Sequence, residues 1–137
     1  MRASHLLTLL PLLSMGAVLL AGQEAGVARG KYLVEEVAKC QDCHTPRNEK
    51  GEPDPAKWMK GGPLSFQPVH PVAGWHMAAP DLTSTSRIWT RWGDDGFLKF
   101  MTTGLNPRGH AADAPMPAYK LTEEDARSVM AYLKSLK

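Results

Sequence analysis

Apolar side chains recur at helical spacing in three stretches of this 137-residue chain. From about Val27 to Ala38, Tyr32, Leu33 and Val37 fall on one side, with Lys31, Glu35, Glu36 and Lys39 largely on the other. From about Asp95 to Thr103, Phe97, Leu98 and Met101 make a second stripe. Asp94 is placed to cap its start and Gly104 to end it. The third pattern is the clearest. Thr122 is an N-cap threonine, and Glu123, Glu124 and Asp125 follow in the first turn, where the helix dipole favours acids. Ala126, Val129, Met130, Leu133 and Leu136 continue at helical spacing, and Lys134 and Lys137 suit the C-terminal end of the dipole.

Residues 45–93 have no such period. Prolines from Pro46 to Pro80 and glycines from Gly51 to Gly93 predict a long loop. A structureless loop of that length normally argues against its own assignment. It becomes reasonable only if a body other than protein supplies a core for it to wrap.

The first residues read differently. Met1 to His5 carries one firm positive charge, at Arg2, and Leu6 to Ala21 is leucine-rich but broken by Thr8, Pro11 and Ser14. That run is too short and interrupted for a stable membrane span and fits a secretory signal peptide. Residues 1–22 are therefore expected to be a leader, with an uncleaved anchor as the alternative, and residues 23–137 one domain. No cysteine follows the run, which gives no support to a lipoprotein anchor.

Five residues supply the chemistry: Cys40-Gln41-Asp42-Cys43-His44. Two cysteines two residues apart, with histidine next, read as a c-type haem attachment site. Each thiol adds to one of two vinyl groups on neighbouring pyrrole rings. The side chain after the second thioether then lies under the iron, and His44 can supply the proximal nitrogen. A dithiol pair or half of a zinc site also uses Cys-x-x-Cys. The chain has only these two cysteines, however, and no βαβ pattern surrounds them. One covalent haem c is the expected cofactor. It fits export, since the thioethers form outside the cytoplasm in bacteria, and a periplasmic location is expected. It also supplies the missing core.

The second axial position has several candidates. Met101 and Met130 fall on helical stripes and read as core. Met59 and Met77 lie beside Trp58 and Trp75 in the long loop and read as gap-fillers. Met116 stands between Pro115 and Pro117, in the loop before the last helix. The prolines restrict the backbone and remove two N–H donors from a segment pressed on an apolar haem face. Met116 is the favoured distal ligand; His110, His76 or an open site are the alternatives, and surface exposure is the ordinary reading of the loop histidines. Methionine and histidine on opposite faces leave no place for substrate and suit one-electron transfer.

Charge narrows the partners. Lys and Arg number 16 against 14 acids, a net charge of +2. That is too balanced for nucleic-acid binding, which wants a strongly basic face. Redox partner proteins are expected, meeting a local patch, and no stable membrane span.

In this order of elements the chain resembles a class I c-type cytochrome. It is more closely similar to the cytochrome c modules of membrane-linked alcohol, gluconate and aldehyde dehydrogenases. Arg29-Gly30-Lys31-Tyr32-Leu33, His44-Thr45-Pro46, Gly61-Gly62-Pro63-Leu64 and Ala79-Pro80-Asp81-Leu82-Thr83 carry the likeness. So do Phe97 to Gly104, Pro115-Met116-Pro117-Ala118-Tyr119 and Ala131 to Leu136. The resemblance implies an all-α, cytochrome c-like fold of three to four helices with long loops wrapped around one covalent haem. It implies an electron carrier rather than an enzyme, passing one electron between a dehydrogenase and a respiratory acceptor. A haem subunit of an oxidoreductase complex and an open-site haem sensor or enzyme are the alternatives. It also places Gly30 where the first helix crosses the last, opposite Tyr132. Trp89, Arg91 and Trp92 are candidate donors to the haem propionates, with packing as their ordinary role. Two departures stand out. Those subunits carry three modules and a membrane-binding tail, whereas this chain shows one module. Asp81 replaces the family's usual asparagine, and an acid there repels a propionate unless it is turned away.

Overall fold

A computed structural model describes residue 24 and residues 26–137. The leader expected at residues 1–22 lies outside the described residues. Residues 26–32 are helical and run into a π-helical stretch, Leu33–Val37; together they form α1. A short helix, α2, covers Gln41–His44, and a 3₁₀ turn covers Pro55–Lys57. Two-residue strands, β1 at Gly62–Pro63 and β2 at Ala78–Ala79, pair antiparallel with Gly62 opposite Ala79. Two long helices follow, α3 at Arg87–Thr103 and α4 at Glu123–Ser135. The all-α expectation holds, with the one small ribbon added.

The π stretch revises the first helix. Leu33 and Val34 are buried, while Tyr32 and Val37, expected to share the inner face, are 52% and 58% exposed. The Ala38 N–H bonds the Leu33 carbonyl at 2.8 Å, an i to i+5 bond that widens the turn. The wider turn rotates Val37 off the face that an α-helix would have kept.

The second helix is longer than its apolar stripe. It begins at Ser86, whose hydroxyl accepts from the Ile88 N–H at 3.1 Å, and it breaks at Gly93, with φ 66° and ψ −178°. Only glycine takes that backbone readily. Two helical pieces therefore meet at Gly93, and the second is the predicted one. Asp94, expected as a cap, accepts a bond from Lys134 of α4. Gly104 ends the helix left-handed, at φ 76°. The α4 cap is as expected: Thr122 Oγ1 accepts from the Asp125 N–H at 3.2 Å.

The core lies where α1, α3 and α4 meet. Leu33, Val34, Phe97, Phe100, Met101, Ala126, Val129 and Leu133 fill it, and Met59 and Leu82 enter from the loops. Gly30 is the crossing point. A Cβ there would fall 1.9 Å from the Ser128 carbonyl oxygen and 2.8 Å from Tyr132 Cβ. Only a residue without a side chain lets the two backbones approach so closely.

Candidate haem site

The motif residues sit on one helical turn. Cys40 caps α2, and its carbonyl accepts from the His44 N–H at 2.9 Å, which holds Cys40, Cys43 and His44 in one compact loop. Both thiols are free. Burial pushes the Cys40 thiol up to about 11, and burial also raises that of Cys43. Both are thus neutral, apolar groups in the fold.

His44 is buried, at 5% exposure. Its Nδ1 lies 2.8 Å from the Pro80 carbonyl oxygen. A carbonyl can only accept, so Nδ1 carries the proton and Nε2 keeps its lone pair free. Burial lowers the pKa of the ring, against the smaller opposing effect of the Pro80 bond. A neutral, oriented imidazole with one nitrogen free is the form a metal requires. The surrounding loop is fixed by the Gly61 N–H on the His44 carbonyl, 2.8 Å, and the Met59 N–H on Thr45 Oγ1, 3.0 Å.

Met116 is partly buried and packs against the core. Its N–H bonds the Asp113 carbonyl at 3.1 Å. Its loop is tied at both sides. Tyr119 Oη donates to the Ala38 carbonyl at 3.2 Å, and the His76 N–H donates to Ala114 at 2.7 Å. The Tyr119 hydroxyl is pushed up to about 12, first by burial and then by the nearby Cys40 and Cys43. The methionine loop and the cysteine turn are therefore neighbours. Tyr119 was not singled out from sequence; its signal was its place at the end of the Pro-Met-Pro-Ala-Tyr run.

The other methionines separate as their surroundings dictate. Met59 and Met101 are buried and Met130 is partly so. Met77, expected to fill a gap, is 51% exposed, because its backbone closes the β1–β2 loop on Leu64 and leaves the side chain outside. His70, His76 and His110 are exposed.

Two of the three candidate propionate donors lie against phenylalanine rings. The single indole N–H of Trp89 is committed to the Thr83 carbonyl at 2.7 Å, and its ring lies against Phe97, with centroids 5.0 Å apart. Trp92 lies against Phe100 at 5.2 Å, and Arg91 is exposed. Trp89 and Trp92 each pack on a phenylalanine of α3, and the Trp89 N–H is already bonded. Asp81 is bonded within its own turn. Its carboxylate accepts from the Thr83 N–H at 2.6 Å and from Thr85 Oγ1 at 3.4 Å, which commits the charge to its own turn.

A match to the cytochrome c family covers residues 27–137. The chain belongs to the cytochrome c family. The cofactor of this cytochrome is accordingly covalent haem c with its iron, and its class of function is electron transfer. The free thiol pair and the oriented neutral His44 suit that group. The cytochrome is similar to a diheme cytochrome c-type protein of Cereibacter sphaeroides, 34% identical over 77% of this chain and 34% of that one. It is 33% identical to the cytochrome c subunit of a quinone alcohol dehydrogenase of Gluconobacter oxydans, over 80% of this chain and 24% of that subunit. It is 28% identical to the fructose dehydrogenase cytochrome subunit of Gluconobacter japonicus, over 79% and 21%. The chain thus spans about a third or less of the relatives it matches. Among the described residues no helix is long and apolar enough to cross a membrane.

Proposed function

We propose that this cytochrome carries one electron on a single haem, in the periplasm, between a dehydrogenase and a respiratory acceptor. The observation that carries the proposal is the pairing of His44, held at Nδ1 by Pro80, with the proline-flanked Met116 on a loop tied beside the cysteine turn. In this reading Cys40 and Cys43 bear the thioethers, His44 is the proximal ligand and Met116 the distal one. Haem iron supplies reversible one-electron chemistry, and a thioether ligand raises its potential. The protein's part is to fix both axial side chains and to keep water and substrates away from the metal. One attachment motif in the sequence supports one haem, and the leucine-rich leader supports export.

The test is Met116→Ala. The weak far-red band of methionine-bound ferric iron should vanish, cyanide and carbon monoxide should gain access, and the reduction potential should fall. A wild type that lacks the band and binds carbon monoxide readily would favour an open-site sensor or enzyme instead. The relatives' names favour a second reading, in which the cytochrome is a permanent subunit of a dehydrogenase complex. Purification from the native membrane and periplasm separates the two: a carrier elutes alone, a subunit with its dehydrogenase.

A further inference from the structure

The π stretch of α1 opens a backbone carbonyl that an α-helix would have filled. In an α-helix the Glu35 carbonyl accepts from the Lys39 N–H. Here Lys39 turns left-handed, at φ 51°, and the Cys40 N–H reaches back to the Val34 carbonyl at 3.0 Å. The Glu35 carbonyl takes a side chain instead, accepting from Gln41 Nε2 at 2.9 Å. Gln41 is the first residue between the two cysteines. Its amide oxygen is buried without a partner, so the bond to Glu35 is the polar contact that fixes this side chain.

The carboxylate of the same residue reaches another element. It is 19% exposed and accepts from the hydroxyl of Tyr132, a buried residue of α4. That hydroxyl accepts in turn from the Trp58 indole N–H at 3.3 Å. The next residue, Met59, donates its N–H to Thr45 Oγ1 at 3.0 Å, and Thr45 directly follows His44. The contacts close a ring through Gln41, Glu35, Tyr132, Trp58, Met59 and Thr45. The ring meets the attachment motif at both ends. Tyr132 also stands at the helix crossing, its Cβ 2.8 Å from where a Cβ on Gly30 would fall. A second link between α1 and α4, Arg29 with Asp125 at 2.9 Å, lies outside the ring on the surface.

We propose that Glu35 is a positioning residue for His44. Its carboxylate holds the π stretch against Tyr132, its carbonyl holds the start of the cysteine turn, and Trp58 carries the same constraint round to Thr45. The orientation of the imidazole is then set by the packing of α1 on α4 as well as by the Pro80 bond. Partners beyond a ligating histidine orient it and tune its metal. The proposal rests on the reading of His44 as the proximal iron ligand.

The test is the proton spectrum of the ferric holoprotein, in which haem-methyl and ligand-ring shifts follow the orientation of the axial groups. Tyr132→Phe, Glu35→Ala and Gln41→Met should each displace those shifts and move the midpoint potential. Glu35→Gln keeps an oxygen for the Tyr132 hydroxyl and should retain the wild-type values. Arg29→Ala breaks the surface pair between the same two helices and should change neither. Variants of the ring that lose stability in a denaturant melt but keep wild-type shifts and potential overturn the proposal, because they show a clamp with no hold on His44. So does a change in Glu35→Gln as large as that in Glu35→Ala, or an equal change in Arg29→Ala. Tyr132→Phe removes a single oxygen and reports even if Glu35→Ala fails to fold. The alkaline pyridine spectrum and the ring signals of ¹⁵N-histidine-labelled wild type test the underlying reading separately. Absence of covalent haem, or of an iron-bound histidine, overturns that reading whatever the variants do.

Discussion

Two parts of this cytochrome are built on different terms. At the crossing of α1 and α4 the backbones touch, with Gly30 against Ser128, and α3 closes a core of interlocked side chains. In residues 45–86 only Met59 and Leu82 among the apolar side chains are buried, whereas Phe66, Val69, Val72 and Met77 are 42%, 92%, 46% and 51% exposed. That second part is shaped by backbone hydrogen bonds and by turns such as Asp81–Thr83. The contrast teaches where each half finds its partner. The helices pack on one another; the loops are arranged for a partner that is not protein.

Removing the haem should break the comparison most. In Cys40→Ala/Cys43→Ala no haem should survive acid–acetone extraction, and the chain should be largely unfolded, without a cooperative thermal transition. A cooperative melt with full helix content would show that the helical half suffices for both. Gly30→Ala attacks the helical half directly. Its Cβ meets a backbone oxygen that cannot step aside, so a loss of about 3 kcal/mol in a denaturant melt is expected, at the upper end of overpacking costs. Gly26→Ala, with nothing within 4 Å, is the control and should not destabilise. Met101→Leu and Met130→Leu sharpen the contrast by what they leave intact. Volume is conserved, so each should cost under about 1.5 kcal/mol and keep the far-red iron band.

The smallest effect is confined to high pH. Burial pushes the hydroxyls of Tyr119 and Tyr132 up to about 12, with Glu35 adding to the rise at Tyr132. The folded state therefore holds these protons more tightly than the unfolded chain, whose tyrosines titrate near about 10. Their contribution is fully present below about pH 10 and lost as pH rises toward about 12. Circular dichroism against pH should show alkaline unfolding in that window, displaced upward in Tyr119→Phe/Tyr132→Phe.

Much of this was legible because it obeys local rules. Thr122 and its acids mark α4, whereas the crossing at Gly30 was placed by the family resemblance and not by a local rule. The Cys40 to His44 run carries the attachment motif. What was hidden depends on contacts far apart in sequence. The π turn that exposes Val37 and the Lys134 bond that diverts Asp94 have no local signature. The helical piece before Gly93 has no regular apolar stripe among its Trp and Arg residues, so its pattern predicts loop. Trp89 offered an indole N–H in principle, and only the fold shows that Thr83 already holds it. Trp75 passed as a loop aromatic because being buried without a partner is a property of three dimensions.

The partial burial of Cys40 also bears on the order of manufacture. With its thiol pushed up to about 11 by burial, Cys40 stays neutral in the closed chain and lies partly buried against the core. Bond formation to a vinyl group needs an accessible sulfur. In the proposed reading, in which Cys40 bears a thioether, the haem would be joined while the chain is still open, before the terminal helices cross. Folding would then seal a finished covalent product, and a chain that closed first would hold its sulfur out of reach.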